Sequence, residues 1–166
     1  MSLVNRIMVK AENIIISPIR AVLNDLGDPT ADFILCSSER TIETDGRDNV
    51  LFLRFADTAE KDDPMRFRRS DAERICEFLS RKDASEDLFV CCDSGESRSA
   101  AVAAAVRLAA GQDDLEIWKS TDYRPNGLVF GIMCAALGLD VSGEEIRRRI
   151  EISHAAVSRK IAQSRN

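Results

Sequence analysis

Leu88-Phe89-Val90-Cys91-Cys92-Asp93-Ser94-Gly95-Glu96-Ser97-Arg98-Ser99 runs from an apolar stretch through a short polar loop into an alanine-rich helical segment. Strand, tight loop and helix in that order bring backbone N–H groups together around one point, where they can bind an anion. A thiol at the end of the strand then faces the positive end of the helix dipole, which favours its ionised form. Gly95 stands where the loop must turn sharply, and a positive φ costs glycine little. The order also implies a sheet strand whose C-terminal end carries a site, the usual arrangement of α/β proteins.

The residue types fit attack on phosphorus. A cysteine is a useful nucleophile only as the thiolate, and the free side chain has a pKa of about 8.5. Cys92 is the candidate nucleophile, and the backbone of Asp93, Ser94, Gly95, Glu96, Ser97, Arg98 and Ser99 is the candidate phosphate cradle. Arg98 offers a planar fork of donors that can grip two phosphate oxygens at once, which lysine cannot. The Ser99 hydroxyl is placed to hydrogen-bond the sulfur and ease its departure from a phosphocysteine. A lone cysteine at a strand end is usually a small buried hydrophobe. The Gly, Arg and Ser at set offsets argue for chemistry here.

The segment Cys92-x-x-Gly95-x-x-Arg98-Ser99 resembles the phosphate-binding loop of the cysteine-dependent protein tyrosine phosphatase superfamily, nearest its compact dual-specificity and bacterial tyrosine-phosphatase-like branches. Low-molecular-weight phosphatases carry this loop at the N-terminus, unlike a loop at residue 92. The resemblance implies a phosphomonoester hydrolase acting on a phosphorylated protein or peptide, with no cofactor and no metal. One departure stands out. The family usually has His immediately before the nucleophile; here that residue is Cys91, and the only histidine is His154. Asp93 and Glu96 also put negative charge in the loop, unless their side chains turn outward. A catalytically weak phosphate-binding module and an inositol-phosphate phosphatase therefore stand as alternatives. Arsenate reduction and sulfur transfer fit the flanking segments less well. The adjacent Cys91-Cys92 pair raises redox capture of the nucleophile, against which stands the alternation of strand side chains.

The resemblance also calls for an upstream general acid. Asn49 to Phe55 reads as a strand, and Asp57 follows it, 35 positions before Cys92. Asp62 and Asp63 compete for the role. Pro125-Asn126 resembles the start of a late helix in dual-specificity phosphatases; Asn126 is expected to cap that helix and to support the loop.

A length of 166 residues suits one phosphatase-like domain over 1–166. The net charge of −5 argues against nucleic acid or an anionic membrane as partner. The longest apolar run, Ala100 to Val106, ends at Arg107, far short of a membrane span. Asn5, Arg6 and Lys10 break any apolar core of a signal peptide. The cysteines (Cys36, Cys76, Cys91, Cys92 and Cys134) have neither disulfide-framework nor zinc-site spacing. A cytoplasmic, reducing setting is expected.

Around the loop, strands are expected at Ile14–Ile16, Phe33–Cys36, Val50–Phe55 and Leu88–Cys92, with a further short apolar stretch at Ile7–Val9. Ser17-Pro18 reads as the start of a short helix through Leu26. Ser70 to Glu73 reads as a capping box, Ser99–Ala110 as the helix leaving the loop, and Gln112–Tyr123 as a connection anchored by Trp118. Asn126–Leu137 is the next helix, and Ser142 to Glu145 caps a last one over about 143–164, whose final turns are expected to fray. Arg66, Arg68 and Arg69 form a basic run able to attract an acidic phosphopeptide or simply to sit in solvent. These elements describe an α/β fold with a central, mostly parallel sheet, helices on both faces and the late helices stacked on one of them, as in the tyrosine/dual-specificity phosphatase fold.

Overall fold

The structure, a computed structural model, describes residues 9–81 and 83–166, so Ile7 and Met8 of the first apolar stretch lie outside the described residues. The strands are β1 (Asn13–Pro18), β2 (Ala31–Ser37), β3 (Val50–Arg54) and β4 (Asp87–Cys92). The helices are α1 (Arg69–Leu79), α2 (Arg98–Ala109), α3 (Leu115–Lys119), α4 (Gly127–Ala136) and α5 (Gly143–Ser164). The four strands make one all-parallel sheet in the order β1-β4-β2-β3.

Parallel sheets are covered on both faces, and β2 is buried along its whole length. On one face, Ile34, Cys36, Leu53, Val90 and Cys92 join a core with α1, α2 and α4. The small side chains of α2, with Ala100 to Ala105 all fully buried, let this helix lie close to the sheet. On the other face, Phe33, Leu35, Val50 and Cys91 pack under Ile19, Val22 and Leu26. The expectation of helices on both faces therefore needs correction: this second face is covered by a 3₁₀ turn (Ile19–Ala21) and the turns that continue it.

The same correction reaches Ser17 and Pro18, which do not cap a helix. Both belong to β1 and stand opposite Cys91 and Cys92 of β4. Proline has no N–H to give a ladder, and it is tolerated here at the end of an edge strand. The helical spacing of Ile19, Val22 and Leu26 reports a buried face, but turns provide it.

Other elements differ in detail. The cap of α1 is not Ser70 with Glu73: the Asp71 carboxylate accepts the Arg68 N–H at 2.8 Å, while Glu73 pairs with Arg69 at 3.2 Å. The Gln112–Tyr123 connection contains α3, whose Trp118 is fully buried and donates its indole N–H to Asp114 at 3.0 Å. Arg149 of α5 grips the same carboxylate at 2.8 Å, which seats α5 on α3. The last cap is as expected, with Ser142 N–H donating to Glu145 at 2.8 Å and Glu145 N–H to the Ser142 hydroxyl at 3.1 Å. Gly111 and Gly138 close α2 and α4 with positive φ. Among the described residues no helix is long and apolar enough to cross a membrane.

Candidate active site

The strand β4 lies between β1 and β2, so its C-terminal end emerges in the middle of the sheet edge. Cys92 is its last residue, opposite Pro18 on one side and Cys36 on the other. The loop that follows turns at Gly95, where φ is +73°. A side chain here would also collide with β1, since a Cβ would lie 2.6 Å from the Pro18 nitrogen and 2.8 Å from the Ser17 carbonyl carbon. The loop thus sits directly on the end of the edge strand, and glycine is required on both counts.

Cys92 is 1% exposed, with its sulfur 3.1 Å from the Ser99 hydroxyl oxygen. Burial alone would push this thiol up. Hydrogen bonds from the Ser99 hydroxyl and from the backbone of Ser99, Gly95 and Ser97 outweigh burial, and the net direction is down. The thiolate therefore has its own ring of donors despite the absence of a preceding histidine. Cys91 contrasts with it: burial and the charge of Cys92 push its thiol up to about 12. The two neighbours also face opposite sides of the sheet, Cys92 in the core with α2 and Cys91 under Ile19. All five cysteines are free, and the vicinal redox pair finds no support in this geometry.

Arg98, at the start of α2, turns its guanidinium back toward the loop and is 7% exposed. It donates through Nη1 to the Phe55 carbonyl at 2.9 Å and through Nη2 to Asp93 at 3.0 Å. Its Nε is buried with no hydrogen-bond partner among the described residues. Asp93 does not take the outward orientation left open by the sequence. It accepts from the Ser37 hydroxyl at 2.9 Å on both oxygens and lies 3.7 Å from Arg40. Its charge is thus matched by two guanidinium groups. Glu96 does point away: it is exposed, and its carbonyl accepts the Arg124 N–H at 2.9 Å.

Asp57 follows β3 and reaches the loop. Its Oδ1 accepts from the Ser97 hydroxyl at 2.8 Å and from the Asn126 side chain at 2.9 Å. Both bonds fall on one carboxylate oxygen. Asp63 instead caps a local turn, accepting the Met65 N–H at 2.8 Å, and Asp62 is exposed, with no side-chain hydrogen bond or ion pair among the described residues. Asn126 caps α4 and also touches both loops. Its Oδ1 accepts from Leu128 and Val129 N–H at 3.0 and 3.2 Å, capping α4, while its Nδ2 holds Asp57 and the Thr58 carbonyl. Its own N–H donates to the Ser97 carbonyl at 3.3 Å, which ties the acid loop, the phosphate-type loop and α4 at one point.

Ser37 and the Phe55 carbonyl were not among the residues singled out from the sequence. Their signal lies in topology: in a parallel sheet the C-terminal ends of neighbouring strands converge on one edge. Ser37 ends β2 one position after Cys36, which pairs with Cys92, so it meets Asp93. Comparison with protein-family models, curated proteins and solved structures yields no match.

Proposed function

We propose that this chain is a phosphomonoester hydrolase of the cysteine-dependent tyrosine/dual-specificity phosphatase type, working through a phosphocysteine intermediate. The observation that carries the reading is the placement of the Cys92 sulfur at the end of β4, 3.1 Å from the Ser99 hydroxyl and beside a loop over which Arg98 folds back; the same surroundings lower its pKa against burial. A loop built to stabilise a thiolate is also shaped to hold the equatorial oxygens of a phosphoryl group. The central position of β4 in a parallel sheet agrees with that family's architecture, a single domain over the whole chain. Five free thiols suit a reducing, cytoplasmic setting.

In this mechanism the Cys92 thiolate attacks phosphorus, forming the S–P bond as the P–O bond to the leaving group breaks. Asp57, protonated, gives its proton to the departing oxygen. Arg98 and the loop amides carry the charge on the phosphoryl oxygens. A water then attacks phosphorus and passes its proton to Asp57, now a carboxylate. The S–P bond breaks, the electron pair returns to sulfur, and the Ser99 hydroxyl hydrogen-bonds the thiolate that leaves. Inorganic phosphate is the product. Hydrolysis of an aryl phosphate that Cys92→Ser abolishes and Asp57→Asn slows tests the scheme; full activity in the Cys92→Ser protein overturns it.

A second reading, a phosphate-binding module with little turnover, draws on one contact. Asp93 already occupies Nη2 of Arg98 and competes with an incoming dianion. Phosphopeptide binding without turnover across pH 5 to 8 favours it.

A further inference from the structure

The helix α4 has no charged residue in its sequence, Gly127 to Ala136, yet it is not fully covered. Leu128, Gly131 and Ile132 are half-buried and Ala135 is exposed, so one apolar stripe at helical spacing faces solvent. Two grooves flank this stripe and meet at Ile132. One, of about 540 Å³, lies between α4 and α5 and reaches Ala59 and Lys61 of the acid loop. The other, of about 550 Å³, runs from Ile132 and Ala135 to Phe67 and the basic run beside it.

Every charged residue lining the two grooves is basic, on a chain whose net charge is −5. Lys61 and Arg147 border the first, and among the described residues neither has an ion pair or side-chain hydrogen bond. Arg66, Arg68 and Arg69 border the second. Of these, Arg66 and Arg68 donate to backbone carbonyls, of Asp63 and Pro64, and among the described residues neither forms an ion pair. Nearby acids are engaged elsewhere: Asp71 caps α1, Glu73 pairs with Arg69, and Glu144 pairs with Arg148. Glu60 and Asp62, on either side of Lys61, line neither groove.

We infer that this double groove docks an acidic segment carrying apolar side chains, from the phosphorylated protein on which the site acts. The inference rests on the phosphatase reading for the identity of the partner. The apolar floor takes Leu- or Ile-like side chains, and the basic rim pairs with Asp or Glu between them. The groove starts two residues beyond Asp57 and one beyond Asn126, so a peptide lying in it leads directly to the loop. An anionic membrane is disfavoured by the overall negative charge.

The basic run that the sequence leaves undecided between substrate attraction and plain solvation thereby gains a partner. The test uses the full chain and two variants that touch no catalytic group, a double charge reversal and a groove-filling substitution. Lys61→Glu and Arg147→Glu reverse exposed, unpaired charges. Gly143→Phe, at a position with nothing within 4 Å of its Cβ, fills the groove without a clash. Two readouts are needed. A labelled, unphosphorylated peptide alternating Glu and Leu is titrated by fluorescence anisotropy, and kcat/KM is measured for p-nitrophenyl phosphate and for a phosphopeptide with the same flanks.

The expected result is peptide binding weakened about tenfold by the double charge reversal and by Gly143→Phe, with kcat/KM falling as much for the phosphopeptide and unchanged for p-nitrophenyl phosphate. Unaltered peptide binding in both variants overturns the docking groove, as does equal loss for both substrates. Preferential binding to phosphatidylserine vesicles assigns the surface to a membrane and also overturns it. Failure of the phosphatase reading looks different: no p-nitrophenyl phosphate hydrolysis by wild type, with peptide binding still dependent on Lys61 and Arg147.

Discussion

The Ser97 hydroxyl donates to Asp57 Oδ1 at 2.8 Å, joining the middle of the candidate phosphate loop to the loop that follows β3. Asp57 lies on an exposed surface segment, and among the described residues only this bond and the one from Asn126 hold its carboxylate. Loss of one of two such bonds leaves the acid in place part of the time. Ser97→Ala is expected to lower kcat for an aryl phosphate by about tenfold or less, and Ser97→Ala with Asn126→Ala by more than the two separately. The cycle is read in kcat and not KM, since neither group binds the leaving group. Additive effects would show that the two donors do not share Asp57.

Ser99→Ala removes the hydroxyl bond to the Cys92 sulfur and leaves burial unopposed by one of its main counterweights. The thiol pKa should rise, shifting the pH midpoint of iodoacetate alkylation upward and the acidic limb of activity with it. The sign carries over to stability. The folded pKa of Cys92 lies below its ordinary value, so its ionisation stabilises the fold most above the unfolded pKa of about 8.5. That contribution is lost as pH falls through the lowered folded value. Ser99→Ala narrows this window, and chemical denaturation at pH 9 and pH 5 measures the difference.

Gly95→Ala combines a positive φ with a Cβ 2.6 Å from the Pro18 nitrogen, where backbone and a proline ring have little room to yield. A loss of about 2–4 kcal/mol in unfolding free energy is expected. An urea titration showing a change below about 0.5 kcal/mol would mean that β1 does not press on the loop as described.

Asp93 holds Arg98 Nη2 and is itself held by Ser37. Asp93→Asn keeps a side chain of the same shape while removing the competing charge. Inhibition by vanadate or inorganic phosphate should tighten by several-fold. Weaker inhibition would mean that the carboxylate positions Arg98 more than it competes for it.

Much of this site is legible in the sequence because its parts are local. Cys92, Gly95, Arg98 and Ser99 lie within one turn and one helix start, so their offsets alone imply a thiolate facing backbone donors. Asp57 and Asn126 are legible as candidates through the family resemblance; their meeting at 2.9 Å is a property of the fold. Ser37 and the Phe55 carbonyl are not legible, because they reach Asp93 and Arg98 only through strand register. The Ser17-Pro18 pair misleads for the same reason. Its local chemistry suits a helix start, but pairing with β4 keeps it extended and puts Pro18 beneath Gly95. The pairing outweighs the local preference.

The central claim is that Cys92 carries phosphate during turnover. Rapid mixing of the protein with a radiolabelled aryl phosphate, an acid quench and peptide mapping measure it directly. A burst of released aryl alcohol is expected, with one acid-trapped phosphoryl group on the peptide containing Cys92, both absent in Cys92→Ser. Turnover with no phosphoryl group on that peptide, and with full activity in Cys92→Ser, would contradict it.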